Sequence, residues 1–65
     1  MATCFLRSLS VGDLFHLPND RELFQISRCD RSRRGFYVYS FSRRQVSVIP
    51  WSFDLVVIPL PLFGD

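Results

Sequence analysis

Lysine is absent from this 65-residue chain, so its eight basic residues are all arginines, and histidine occurs only once. The three glycines, at positions 12, 35 and 64, are isolated from one another, which argues against a glycine-rich phosphate-binding loop. The longest apolar run, residues 55–63, contains two prolines and is far shorter than the roughly 20 residues that a membrane-spanning helix needs. We therefore expect no membrane partner.

Metal-ligating and catalytic residues are equally scarce. One histidine and two cysteines cannot supply a convincing four-ligand zinc site, and Cys4 and Cys29 do not show a C-x-x-C spacing. His16 lies between Phe15 and Leu17, and no nucleophile or carboxylate is brought to it by spacing alone. The sequence therefore predicts no metal, no cofactor and no enzymatic activity.

What the chain has is apolar and aromatic residues, at 48% and 15% of the total, with seven Phe. This composition is typical of a packed domain rather than a disordered segment. We predict one domain over residues 1–65, with its core in about 9–58 and an apolar, proline-rich tail in 59–65. Two reduced thiols in a cytoplasmic protein are the simpler interpretation of Cys4 and Cys29, and one disulfide is the alternative.

Short runs rich in aromatic and β-branched residues, separated by turn residues, predict strands rather than helices. Gly35 is expected to supply a positive φ before the central strand, and residues 51–54 are expected to form a short 3₁₀ turn. Pro59 and Pro61 lack an N–H and are expected to keep the tail out of the sheet. The predicted strands are residues 14–17, 22–29, 36–41, 45–49 and 55–58.

The order of these elements resembles the SH3-like small β-barrels. The resemblance lies in residues 11–15 (VGDLF), which open the domain, and in residues 49–53 (IPWSF), which stand where such barrels place a 3₁₀ turn. It implies an all-β fold, a five-stranded antiparallel barrel with a short 3₁₀ turn before the last strand. Barrels of this kind include nucleic-acid binders, protein adaptors and small phage or mobile-element proteins, so the resemblance implies architecture and not one activity.

The charge is distributed unevenly along the chain. Residues 28–44 hold six of the eight arginines and one acid, whereas the other 48 residues hold two arginines and five acids. On the predicted central strand, Tyr37 and Tyr39 share one face, and Phe36 and Val38 share the other. If the even positions are buried, the tyrosines lie between two arginine clusters, but the sequence alone does not fix which face is buried.

This pattern predicts a non-enzymatic, nucleic-acid-binding protein. Arginine bonds phosphate through two parallel hydrogen bonds and stacks on bases, and tyrosine is a stacking platform for unpaired bases. The alternative interpretation is that the arginines merely solvate two loops and the tyrosines pack under their neighbours. The predicted nucleic-acid-binding residues are Arg31, Arg33, Arg34, Tyr37, Tyr39, Arg43 and Arg44.

A second class of function is a protein–protein interaction module, such as a small phage-type inhibitor or adaptor. Its arginines would meet an acidic protein surface, and Leu60, Leu62 and Phe63 of the tail would anchor the complex. The apolar last strand, with an open edge, and the tail would also suit a homo-oligomer. The alternative for the tail is that it folds back over the domain beside Phe5 and Leu6.

Overall fold

The computed structural model describes residues 2–60. It contains six strands and a 3₁₀ helix at Leu6–Ser8. The strands are β1 (Cys4–Phe5), β2 (Leu14–His16), β3 (Phe24–Asp30), β4 (Gly35–Ser40), β5 (Gln45–Pro50) and β6 (Val56–Leu60). Every pair of neighbouring strands is antiparallel, in the order β1-β6-β2-β3-β4-β5. No helix in the part of the chain described has the length or apolar character to cross a membrane.

The all-β, antiparallel prediction is confirmed, but the predicted five-stranded closed barrel is wrong. The sheet is open, with β1 and β5 at its edges. The sixth strand arises because Cys4 and Phe5 pair with Val57 and Val56, a contact that the irregular N-terminal sequence did not indicate. Because β6 lies between β1 and β2, the prediction that the last strand has an open edge is also wrong.

The turn before the last strand forms close to where it was predicted. Residues 51–53 form a turn in which the Phe53 N–H donates to the Pro50 carbonyl at 3.1 Å, the three-residue spacing of a 3₁₀ turn. A 3₁₀ helix that was not predicted occurs at Leu6–Ser8, where Leu6 is buried in the core and its N–H donates to the carbonyl of Leu55 at 2.8 Å. Burial of Leu6 and this long-range hydrogen bond therefore fix the segment that the sequence left unassigned.

Strand β6 continues through Pro59, contrary to the predicted end at residue 58. Pro59 lies opposite Phe15, and Leu60 lies opposite Leu14 in β2. Leu60 therefore belongs to the sheet and not to a tail, because the residues on both sides of Pro59, Ile58 and Leu60, are paired with β2. Leu62 and Phe63, the other predicted anchors, lie outside the described residues.

A β-bulge in β3 changes which of its side chains face the core after Ser27. Ile26 pairs with Val38, but the next pair is Arg28 with Tyr37, so Ser27 is an extra residue in the ladder. The predicted alternation, which placed Arg28 on the face of Ile26, is therefore wrong beyond Ser27. The bulge turns Cys29 toward the core, opposite Phe36, and places Arg28 on the tyrosine side of the sheet.

The core settles which face of β4 is buried. Phe36 and Val38 are 5% and 2% exposed, and Ser40 is also buried, whereas Tyr37 and Tyr39 are half-buried. The even positions of β4 therefore fill the core. The buried apolar residues are Leu6, Phe15, Ile26, Phe36, Val38 and Val57. Cys4 and Cys29 pack against this cluster as free thiols, so the disulfide alternative is not realised.

Candidate nucleic-acid interface

Two four-residue turns carry most of the arginines. The first arginine turn, residues 31–34, joins β3 to β4, and the second arginine turn, residues 41–44, joins β4 to β5. Both end in Ser-Arg-Arg, and their last residues, Arg34 and Arg44, have φ values of 51° and 54°. The positive φ predicted for Gly35 therefore belongs to Arg34. Gly35 is required for another reason, since a Cβ there would lie 3.0 Å from the carbonyl oxygen of Ile49.

A side chain just before each turn fixes its backbone in the same way. The Arg33 N–H donates to Asp30 Oδ1 at 3.2 Å, and the Arg43 N–H donates to Ser40 Oγ at 3.2 Å. Such local bonds from Asp and Ser are a common way to stabilise turns. The two arginine clusters are therefore presented on similarly shaped backbones, one at each end of β4.

Glu22 organises the second arginine turn from outside it. Its Oε2 accepts hydrogen bonds from Ser40 and Ser42, the latter at 2.8 Å, and lies 3.6 Å from Arg43 Nε. Only 11% of the Glu22 side chain is exposed. Sequence reasoning assigned Glu22 to a strand and gave it no such role, because a contact over 18 to 20 residues leaves no local pattern.

Both carboxylates that hold the turns titrate below their ordinary range. Hydrogen bonds from Ser40 and then Ser42 lower the pKa of Glu22 from its ordinary value of 4.5, and the charge of Arg43 adds to this. The hydroxyl of Ser32 and the N–H of Arg33 lower the pKa of Asp30 from 3.8. Hydrogen bonds to the charged form stabilise that form, so both groups stay ionised to a lower pH than ordinary carboxyl groups do.

The lowered pKa values predict a loss of stability in acid. A group whose pKa is lower in the folded state stabilises the fold fully above its unfolded pKa, and this contribution disappears as the pH falls through the folded pKa. The free energy of unfolding should therefore fall below about pH 4.5. Urea unfolding at a series of pH values checks this. The Glu22→Gln/Asp30→Asn variant should lose less stability on acidification than the wild type, and an identical decline in both proteins would contradict the assignment.

The arginines differ in how far they are neutralised within the chain. Arg33 Nε lies 3.9 Å from Asp30 Oδ2, and Arg43 lies near Glu22, yet both side chains remain 72% exposed. Arg31, Arg34 and Arg44 form no ion pair with any of the residues the structure describes. Each turn therefore offers at least one exposed guanidinium whose charge is not balanced within residues 2–60.

Between the turns lies a polar and aromatic surface formed by β3, β4 and β5. Arg28, Tyr37 and Val48 form one cross-strand row, and Gln25, Tyr39 and Val46 form the next. We call these six residues the outer face. Val46 and Val48 are 54% and 48% exposed because β5 is an edge strand with no layer packed on it.

The tyrosines have specific neighbours on this face. The guanidinium of Arg28 lies over the Tyr37 ring, 4.3 Å from its centroid, and the Tyr37 hydroxyl donates to Asp30 at 3.5 Å. The Tyr39 ring meets Phe41 edge-on, with centroids 5.0 Å apart. Tyr37 is thus covered by a cation that can itself stack on a base, and Tyr39 with exposed Phe41 forms an aromatic corner. Arg28 and Phe41 were not among the predicted site residues, although both lie in predicted strands, 22–29 and 36–41.

The structure brings the predicted residues together as one extended surface. Arg31, Arg33 and Arg34 lie at one end of β4, Arg43 and Arg44 lie at the other, and the tyrosines lie between them. A six-residue strand separates the two ends by roughly 20 Å. The clusters are too far apart to grip one small anion, but they are well placed to hold several groups of an extended polyanion.

His16 has a local structural role. Its Nδ1 lies 2.9 Å from the carbonyl oxygen of Leu17 and 3.2 Å from that of Asp20, so this nitrogen donates to the turn between β2 and β3. Within residues 2–60, no three His, Cys, Asp or Glu side chains cluster closely enough to hold a metal ion. The predicted absence of enzymatic activity stays a prediction.

Comparisons with known proteins add no homologue to this description. No protein-family model matches the chain, and neither the curated proteins nor the solved structures contain a significant match. The resemblance to SH3-like barrels therefore stays a prediction.

Proposed function

We propose that this protein is a non-enzymatic, cytoplasmic module that binds single-stranded nucleic acid across the outer face. One observation carries the proposal: five arginines are divided between two similarly shaped turns at opposite ends of β4, and two tyrosines lie on the strand between them. The phosphates of the nucleic acid would contact the arginines of both turns, and its bases would stack on Tyr39, on Phe41 and on the Arg28–Tyr37 pair.

The chemistry of this surface suits unpaired bases better than a duplex. Half-buried aromatic rings offer stacking surfaces, and only unpaired bases can leave their own stack to use them. Arginine contributes charge and also planar stacking, as Arg28 already does over Tyr37. A duplex would meet the arginines but leave the aromatic rings unused.

Protein association is the alternative function, and the structure offers the edge strand β5 for it in place of the predicted C-terminal tail. Leu60 is paired within the sheet, whereas β5 is an edge strand with exposed valines and no charged residue. Such an edge can accept a strand from another chain. Pairing at this edge would use neither the tyrosines of the outer face nor both arginine turns, whereas a nucleic-acid strand would use all of them, which is why nucleic acid is the favoured partner.

Replacing Tyr39 with leucine tests the stacking contribution. Base stacking on an aromatic side chain contributes about 1–3 kcal/mol, so affinity for a mixed-sequence single-stranded oligonucleotide should fall about tenfold or more. The salt dependence of binding should not change, because no phosphate contact is removed. Fluorescence anisotropy of a labelled oligonucleotide measures both quantities.

Tyr39→Phe is the matched control, since it keeps the ring and removes only the hydroxyl. It should bind within about twofold of the wild type, given that stacking depends on the ring's face. Equal affinities of Tyr39→Leu and the wild type would remove Tyr39 from the interface. Tighter binding of a duplex than of either single strand would contradict the proposed mode.

A further inference from the structure

A groove opens beside the first arginine turn, and most of its lining residues were not among the predicted site residues. Its volume is about 670 Å³, within the usual range for sites that hold small molecules. Three separate parts of the chain form its walls: the 3₁₀ helix, the first arginine turn and the turn after β5. The lining residues are Arg7, Arg33, Arg34, Pro50, Trp51, Ser52 and Asp54.

The groove is positively charged. Three arginines and one aspartate line it, and Asp54 is already ion-paired with Arg7. Asp30, just outside the lining, lies 3.9 Å from Arg33 Nε, whereas Arg34 has no ion pair among the described residues. Counted with Asp30, the groove has three guanidiniums against two carboxylates, and Arg34 is left without an ionic partner among the described residues. An anion is therefore the chemical class of ligand that fits it.

The walls are held in place by the fold. The Trp51 N–H donates to the carbonyl of Arg34 at 2.8 Å, which ties the first arginine turn to the turn after β5. The indole ring packs edge-on against the core residue Phe36, with centroids 5.8 Å apart. Its Nε1–H is buried and has no hydrogen-bond acceptor in the described part of the chain. The backbone hydrogen bond and the packing on Phe36 therefore hold this wall of the groove against the core.

We propose that the groove binds the terminal phosphate of a nucleic-acid strand. A terminal phosphomonoester carries about −1.5 to −2 charges at neutral pH and presents three acceptor oxygens, one for each guanidinium of the lining, whereas an internal phosphodiester has a single charge and two free oxygens. Arg33 and Arg34 belong both to the groove and to the first arginine turn, which lies at one end of the outer face, so a nucleic-acid strand that ends in the groove can continue along the outer face. This inference rests on the proposed function and adds a binding site for the phosphorylated end of the nucleic-acid strand.

The test uses the intrinsic fluorescence of Trp51, the only tryptophan in the chain. The probes are one single-stranded oligonucleotide in 5′-phosphorylated, 3′-phosphorylated and unphosphorylated forms, and inorganic phosphate alone. At least one phosphorylated form should bind about tenfold more tightly than the unphosphorylated form, as expected for one additional charge-assisted contact. Its binding should also change the Trp51 emission.

The Arg7→Gln/Asp54→Asn variant removes a groove arginine together with its ionic partner and leaves the net charge unchanged. The ion pair lies at the surface, with the Arg7 and Asp54 side chains 45% and 65% exposed, so the fold should tolerate the change. The preference for a terminal phosphate should decrease markedly, while affinity for the unphosphorylated strand should stay as in the wild type.

The outcomes separate this inference from the proposed function. Equal binding of the three oligonucleotide forms would overturn the groove assignment and leave binding along the outer face intact. Inorganic phosphate that binds as tightly as the phosphorylated strand would overturn the assignment to a strand end. Failure of every oligonucleotide to bind would overturn both proposals.

Discussion

Replacing Arg31 and Arg44 with glutamine should weaken binding of a single-stranded oligonucleotide by more than about a hundredfold. The substitutions take one guanidinium from each arginine turn, and neither residue forms an ion pair within residues 2–60 or lines the groove. Two lost contacts between charged groups, at about 1.5 kcal/mol each, account for this loss. Because both residues are exposed and lack an ionic partner in that range, the melting temperature should change little.

The matched control lowers the net charge equally at a different place. Val11→Glu/Asn19→Glu brings the formal net charge of +2 to zero, as the arginine variant does, but changes exposed residues outside both arginine turns. It should retain most of the wild-type affinity. Equal losses in the two variants would show that net charge, and not the placement of arginines, governs binding.

Replacing Phe15 with alanine should nearly abolish folding. Phe15 is 1% exposed, lies in β2 between β6 and β3, and stacks on Phe24 with centroids 5.4 Å apart. Truncating a buried Phe costs about 3–5 kcal/mol. A domain of this length has a total stability of only about 3–10 kcal/mol.

Thermal unfolding followed by circular dichroism measures this effect. We expect the midpoint to fall by at least about 12 °C, or the cooperative transition to disappear. Phe53→Ala is the control, since Phe53 is 64% exposed and its loss should change stability by about 0.5 kcal/mol or less. Similar midpoints for the two variants would contradict the assignment of Phe15 to the core.

Local patterns in the sequence predicted the central part of the fold. Aromatic and β-branched runs bounded by turn residues placed β2 to β5 within about two residues of their observed ends. The alternation of β4 correctly set Phe36 and Val38 apart from Tyr37 and Tyr39. These predictions depend only on residues that are close together in the sequence, so the local pattern was sufficient to make them.

Features that depend on distant contacts were not predictable in this way. Strand β1 exists because two residues pair with β6, and the bulge at Ser27 appears only in the register of β3 against β4. Pro59 is part of a strand because β6 pairs with β2 on both sides of it, and this pairing is not visible in the local sequence. Likewise, Glu22 contacts a turn about 20 residues away. The groove brings together Arg7, Arg34 and Trp51, which are far apart in sequence.

The salt dependence of binding tests the central claim most directly. Contacts from five arginines to the phosphates of a single strand give a slope of about −3.5 for the logarithm of the binding constant against the logarithm of salt concentration. Affinity should then fall about a hundredfold from about 50 to about 200 mM salt, and Arg31→Gln/Arg44→Gln should reduce the slope to about −2. Binding that does not respond to salt, or no binding at low salt, would contradict the assignment of the two arginine turns to nucleic acid.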